Sequence, residues 1–180
     1  MEKKLAIIVL GKKNSGKSNT WYEIFGRRIK TGWKKLYINK KLIDVFVRNG
    51  SFEEMGDEIG QDIFIKNSSF EEDGDEAEDY FDFYPGIIFC SVQYTDKGIR
   101  TINWFKDNGY YLYIQWLNPG YYYEKEQTDF LEFEKTFSSS GVFTKHSGHE
   151  KKERVGEILK FLYEWLQKNK SDNSNNKTCN

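Results

Sequence analysis

The sequence predicts an α/β domain built on a mainly parallel sheet, and two observations carry that expectation. Three runs, KLAIIVL at 4–10, GIIFCSV at 86–92 and YYLYIQWL at 110–117, are apolar without alternation and are bounded by Gly, Pro or Asn, as strands buried on both faces are. Segments with helical spacing of apolar residues lie between and after them, so strand and helix alternate along the chain. A chain of 180 residues supplies one core and not two.

In chain order, the strand at 4–10 runs into GKKNSGKSNT, and a helix emerges from that loop with Trp21, Ile24, Phe25 and Ile29 on one face. LYINKKLIDVFVR at 36–48 reads as a hairpin whose polar break is Asn39-Lys40-Lys41. After the strand at 86–92, a helix of roughly 97–108 ends at the Asn108-Gly109 stop signal. The strand at 110–117 is followed by a shorter one, VFTKH at 142–146. A last helix over 150–169 carries Val155, Ile158, Leu159, Leu162, Trp165 and Leu166 as a core-facing stripe. The expected organisation is a single domain over 1–169, with an acidic mobile insert at about 51–82 and a disordered polar tail, KSDNSNNKTCN, over 170–180.

Charge is segregated although the net value is only −1. Residues 1–50 hold 13 Lys or Arg against 3 acids, whereas residues 51–82 hold 13 acids against the single base Lys66. The basic part suits a polyanionic partner, a nucleotide or nucleic acid, and the acidic part repels one or neutralises a neighbouring face; two solvated surfaces explain the same pattern. SFEEMGDE at 51–58 returns as SFEEDGDE at 69–76 with seven of eight residues identical, a local duplication too short to stack into a solenoid. Its acids lack the spaced ligands of an EF-hand loop. Cys90 lies in an apolar run and Cys179 in the tail, so no structural disulfide is expected and a reducing, cytoplasmic setting is. Six apolar residues before Gly11 are too few for a signal sequence or a membrane span.

The chemistry concentrates in Gly11–Ser18, GKKNSGKS, which satisfies G-x-x-x-x-G-K-[ST]. It follows a buried strand and opens a helix, as phosphate binding requires. Glycines let successive amides turn inward toward phosphate oxygens at the positive end of a helix dipole. The expected nucleotide-binding residues are Gly11, Lys12, Lys13, Asn14, Ser15, Gly16, Lys17 and Ser18. Lys17 brings a point charge to the β- and γ-phosphates, and the Ser18 hydroxyl faces Mg²⁺.

On these eight residues the chain resembles the P-loop NTPases. The order of PGIIFCSVQY, TDKGIR and NGYYLYIQWLNP is similar, more loosely, to that of small nucleoside and nucleotide kinases such as the phage deoxynucleotide kinases. The resemblance implies a three-layer P-loop fold with a five-stranded sheet in the order 2-3-1-4-5, a bound ATP or GTP with Mg²⁺, and transfer of the γ-phosphate to a nucleoside or nucleotide. Two departures stand out. The strand at 86–92 ends Ser91-Val92-Gln93 with no acid for the magnesium shell, which leaves Asp44 as the candidate metal carboxylate beside Ser18. Residues 118–149 contain no arginine, so Arg48 and Arg100 join Lys17 as candidate catalytic cations near the carboxyl ends of strands. Both departures also suit a regulatory or phage-defence interaction protein that binds nucleotide without efficient turnover, and the basic first fifty residues permit an ATP-dependent nucleic-acid partner. His146 and His149 make an incomplete zinc set and are expected in a surface loop. Tyr121, Tyr122 and Tyr123 either stack on a base or cover the sheet edge.

Overall fold

A computed structural model describes residues 3–51, 86–122, 134–135 and 137–175. Its strands are β1 (Lys4–Gly11), β2 (Gly32–Ile38), β3 (Lys41–Ser51), β4 (Ile87–Gln93), β5 (Tyr110–Leu117) and β6 (Gly141–His146). The helices are α1 (Lys17–Phe25), α2 (Asp96–Asp107) and α3 (Lys151–Asn175), with a short 3-10 turn at Ser138–Ser140. They form one six-stranded sheet in the order β2-β3-β4-β1-β5-β6. β3, β4, β1, β5 and β6 are mutually parallel, and β2 is antiparallel to β3.

The sheet therefore has six strands where five were expected, and its order differs by an added edge strand. The cause is local: Asn39 and Lys40 both take left-handed backbone, φ 43 and 63, which makes a two-residue turn and returns Gly32–Ile38 along Lys41–Ser51 as a separate strand. The expected acidic insert falls almost wholly on residues 52–85 and lies outside the described residues. The expected polar tail begins instead as helix, since α3 continues to Asn175; no Gly or Pro interrupts 157–175 to stop it. Residues 176–180 lie outside the described residues. α1 is shorter than its apolar spacing suggested, because Gly26 ends it in the left-handed conformation, φ 68. Ile29 still reaches the core from beyond the helix.

Every side chain from Leu5 to Leu10 is fully buried, which explains why that run lacks alternation. On one face Ala6, Ile8 and Leu10 pack with Phe46, Ile88, Leu112, Trp116 and, from α2, Ile102 and Phe105. On the other Leu5, Ile7 and Val9 pack with Phe89, Tyr113, Trp21 of α1, and Ile158 and Leu162 of α3. The domain thus has three layers. No helix among the described residues is long and apolar enough to cross a membrane.

β1 is paired with β4 on one side and β5 on the other, while its own connection leads to the β2–β3 edge and the β4–α2–β5 connection crosses to the opposite half. The carboxyl end of β1 is therefore the switch point of the sheet, the place where open α/β sheets leave a crevice for ligands.

Candidate phosphate-binding site

The loop Lys12–Gly16 fills that switch point. It leaves β1 at Gly11 and turns through left-handed Asn14, φ 61, and Gly16, φ 97, before α1 begins at Lys17. The Ser15 amide donates to the Lys12 carbonyl at 3.2 Å, and the Asn19 amide to the Gly16 carbonyl at 3.1 Å. No side chain among the described residues caps the amino terminus of α1, which leaves the positive end of the helix dipole beside the loop without a side-chain acceptor, an arrangement that favours an anion.

Lys17 is buried, 6% exposed, and folds back beneath the loop. Its ammonium donates to the carbonyls of Gly11 at 3.0 Å and Lys12 at 2.7 Å. The buried Ser15 hydroxyl has no hydrogen-bond partner among the described residues, a state that costs free energy until a ligand or water satisfies it. A side chain at Gly11 would put Cβ 2.4 Å from that hydroxyl oxygen, so the tight approach requires glycine. Ser18, on the first turn of α1, is exposed.

The loop is braced from three directions. Tyr94, just past β4, donates its amide to the Gly11 carbonyl at 3.2 Å, and Tyr121 donates its amide to the Ser15 carbonyl at 3.0 Å. Gly148 packs so closely that a Cβ there would lie 2.7 Å from the Ser15 carbonyl oxygen and 2.3 Å from the Tyr121 nitrogen. The β5 and β6 ends are tied together behind it, Asn118 amide to His146 carbonyl at 2.8 Å and Gly148 amide to Pro119 carbonyl at 2.9 Å. Below the loop, Trp21 Nε1 donates to Ser91 Oγ at 2.8 Å, which fixes α1 against β4.

The structure separates the other expected site residues. Asp44 lies near the start of β3, two residues before Phe46, which is level with Ile88 and so with Ala6. Asp44 is thus level with Lys4, seven residues of strand below Gly11, about 23 Å at the usual rise. The Asp44 carboxylate is exposed and accepts from Lys35 at 3.1 Å, so it serves the hairpin and not a metal at Ser18. Arg48 is level with Cys90 and Ile8, three residues below the loop; it is buried, and strand alternation puts it on the Phe46 face, towards α2. Arg100 is exposed on α2, whose inward residues are Ile99, Ile102 and Phe105. Arg48 thus starts from below the level of the loop, and Arg100 from the solvent-exposed side of α2. No group of three His, Cys, Asp or Glu that could hold a metal ion occurs among the described residues.

Other residues surround the loop. Arg28 lies beyond the Gly26 stop and lines a cavity of about 290 Å³ with Ser18, Asn19, Tyr22 and Ile29. The rings of Tyr121 and His149 meet at 4.6 Å between centroids, and the Lys151 ammonium is 5.8 Å from the Tyr121 ring. His146 ends β6 instead of sitting in a loop, with Nε2 2.9 Å from a Glu157 carboxylate oxygen. The basic charge of the first fifty residues is divided: Lys12, Lys13 and Lys17 belong to the loop, while Lys34, Lys35, Lys40 and Lys41 belong to the edge hairpin.

No family model, curated protein or solved structure matches this chain.

Proposed function

We propose that the protein binds a nucleoside triphosphate, ATP or GTP, together with Mg²⁺ through Gly11–Ser18. The observation that carries the proposal is the Lys17 ammonium held by the Gly11 and Lys12 carbonyls beneath an uncapped helix terminus. A merely structural strand-to-helix turn would not be expected to bury a lysine and leave the Ser15 hydroxyl without a partner. When phosphates enter, the Lys17 charge is available to them, the first-turn amides donate to their oxygens, and Ser18 supplies an oxygen to the cation. Mg²⁺ would draw charge from the phosphates and orient them.

The finer reading is a P-loop kinase acting on a nucleoside or nucleotide. Its support is that the five parallel strands, numbered among themselves, run 2-3-1-4-5 once the antiparallel edge strand β2 is set aside. The shared cleft of Ser18 and Arg28 adds a cation at the mouth of the site. A competing reading, a regulatory binder without efficient turnover, is favoured by the end of β4, where Gln93 stands level with Gly11 and supplies no carboxylate.

Calorimetric titration with ATP and GTP in Mg²⁺, followed by a γ-phosphate-labelled screen of nucleosides, nucleotides and water as acceptors, tests both levels. Binding with transfer supports the kinase, binding without transfer supports the regulatory protein, and no binding of either nucleotide overturns the proposal.

A further inference from the structure

Arg154, in the first turn of α3, is buried with no exposed surface, where the other buried charged side chains among the described residues, Lys17 and Arg48, retain a little. Its backbone carbonyl accepts from Gln115 Nε2 of β5 at 2.9 Å. Its guanidinium reaches α1 and the β6–α3 loop, donating to the Thr20 hydroxyl at 2.7 Å and the Gly148 carbonyl at 3.4 Å. Both acceptors are neutral, and Nε has no partner among the described residues. Burial pulls the guanidinium from its ordinary value down to about 10, against an opposing pull from Glu150. That carboxylate is exposed and accepts from the Ser147 amide at 3.0 Å, so it does not form a contact pair with the arginine. A buried cation served only by neutral groups is a net cost to the folded chain.

The position of this charge gives it a use. Thr20 lies one helical turn past the loop on α1, and Gly148, whose carbonyl takes the second bond, is the residue pressed against the Ser15 carbonyl. The guanidinium thus stands directly behind the phosphate loop, in a dry region where its field is weakly screened.

We propose that Arg154 is a buried countercharge for the phosphates held by the loop, so that an anion in Gly11–Ser18 offsets the cost of burying the arginine. It is a positioning residue that acts through α1 and Gly148 and does not touch the ligand. The inference rests on the proposed binding of a triphosphate and adds a determinant of its affinity from the opposite side of the loop. Through that affinity the arginine also enlarges the stabilisation that occupancy brings by mass action.

The test uses the full chain, inorganic tripolyphosphate and ATP, each with Mg²⁺, with affinity read by calorimetry and melting followed with and without ligand. Arg154→Met keeps the volume and removes the charge; Thr20 is then left to bond a backbone carbonyl of its own helix. The expected result is a ligand-free Tm equal to or above that of the wild type, an affinity for both ligands at least fivefold weaker, and a smaller ligand-induced rise in Tm. Arg154→Lys, which retains the charge, keeps affinity within about twofold of wild type. Unchanged affinity in Arg154→Met overturns the countercharge. So does a lower ligand-free Tm in Arg154→Met joined to lost affinity in Arg154→Lys, which marks the arginine as a structural tie only. Failure of the wild type to bind either ligand, with Lys17→Ala indistinguishable from it, overturns the loop reading and the countercharge together.

Discussion

The Lys17 ammonium donates to the Gly11 carbonyl at 3.0 Å across the mouth of β1. The lysine therefore waits inside the loop it would serve, and phosphates have only to replace neutral carbonyls with charged oxygens as its acceptors. Charge-assisted bonds of this kind contribute roughly 1.5–3 kcal/mol. Lys17→Ala is expected to weaken ATP binding at least tenfold in calorimetry, and equal affinities for mutant and wild type would remove Lys17 from the site.

Gly148 makes a second, sharper demand. A methyl group there meets three backbone atoms, the Tyr121 nitrogen at 2.3 Å, the Ser15 carbonyl oxygen at 2.7 Å and the Gly120 carbonyl carbon at 2.8 Å. Backbone cannot swing aside as a side chain can, so Gly148→Ala must displace the loop or the β5–β6 connections. Overpacking of this kind costs about 1–3 kcal/mol. Gly148→Ala should lower Tm by several degrees and weaken triphosphate binding as well. A Tm and an affinity both equal to wild type would show that the three segments do not pack so closely in solution.

What the sequence made legible was whatever depends on neighbouring residues. The unbroken run Leu5–Leu10 announced a strand covered on both faces, and Gly11–Ser18 announced its own loop because strand, glycines and helix follow one another directly. The hairpin was readable as a hairpin, yet Asn39-Lys40 did not reveal that it would add an antiparallel edge to a parallel sheet. Asp44 and Arg48 were misplaced for a related reason. Their distance from the loop depends on the register of β3 against β4, fixed by pairs such as Phe46 with Ile88 and not by local pattern. Arg154 carried no signal: at the start of an amphipathic helix it reads as a solvated charge, and only the approach of α1 and Gly148 buries it. Gly148 looked like an ordinary turn glycine between two histidines, and its role appears only when Tyr121 is seen against Ser15.

The redistribution of arginines changes which one should matter for turnover. Arg28 shares a cavity with Ser18, whereas Arg100 is exposed on α2 and Arg48 is buried three residues below the loop. If the protein transfers phosphate, Arg28→Ala should reduce kcat at least tenfold with a smaller change in ATP affinity, the signature of a contact that strengthens as charge develops. Arg100→Ala should leave kcat within twofold. The reverse ranking, measured in the same labelled-phosphate assay, would place the reacting phosphate nearer α2.

The opposite face of β5 supplies a pH test of the packing. Burial raises the Tyr113 phenol above its ordinary 10.0; hydrogen bonds from Gln115 and Thr144 oppose the rise, and the Glu157 charge adds to it. The ring is stacked on Phe161 of α3 at 4.4 Å, so the hydroxyl is held in the layer between β5 and that helix. In the unfolded chain the phenol loses its proton near 10, while in the folded chain it keeps the proton to higher pH. Between those two values the native state binds more protons, and stability must fall as pH rises. The stabilising contribution is complete below 10 and is lost as pH passes upward through the folded value. Urea midpoints measured from pH 8 to 11 should therefore fall more steeply for the wild type than for Tyr113→Phe, which retains the ring and lacks the titrating group. The remaining tyrosines and lysines titrate in both proteins and cancel in the difference. Parallel curves across that range would mean that the Tyr113 hydroxyl reaches water, and that α3 does not close over β5 as the stacked rings imply.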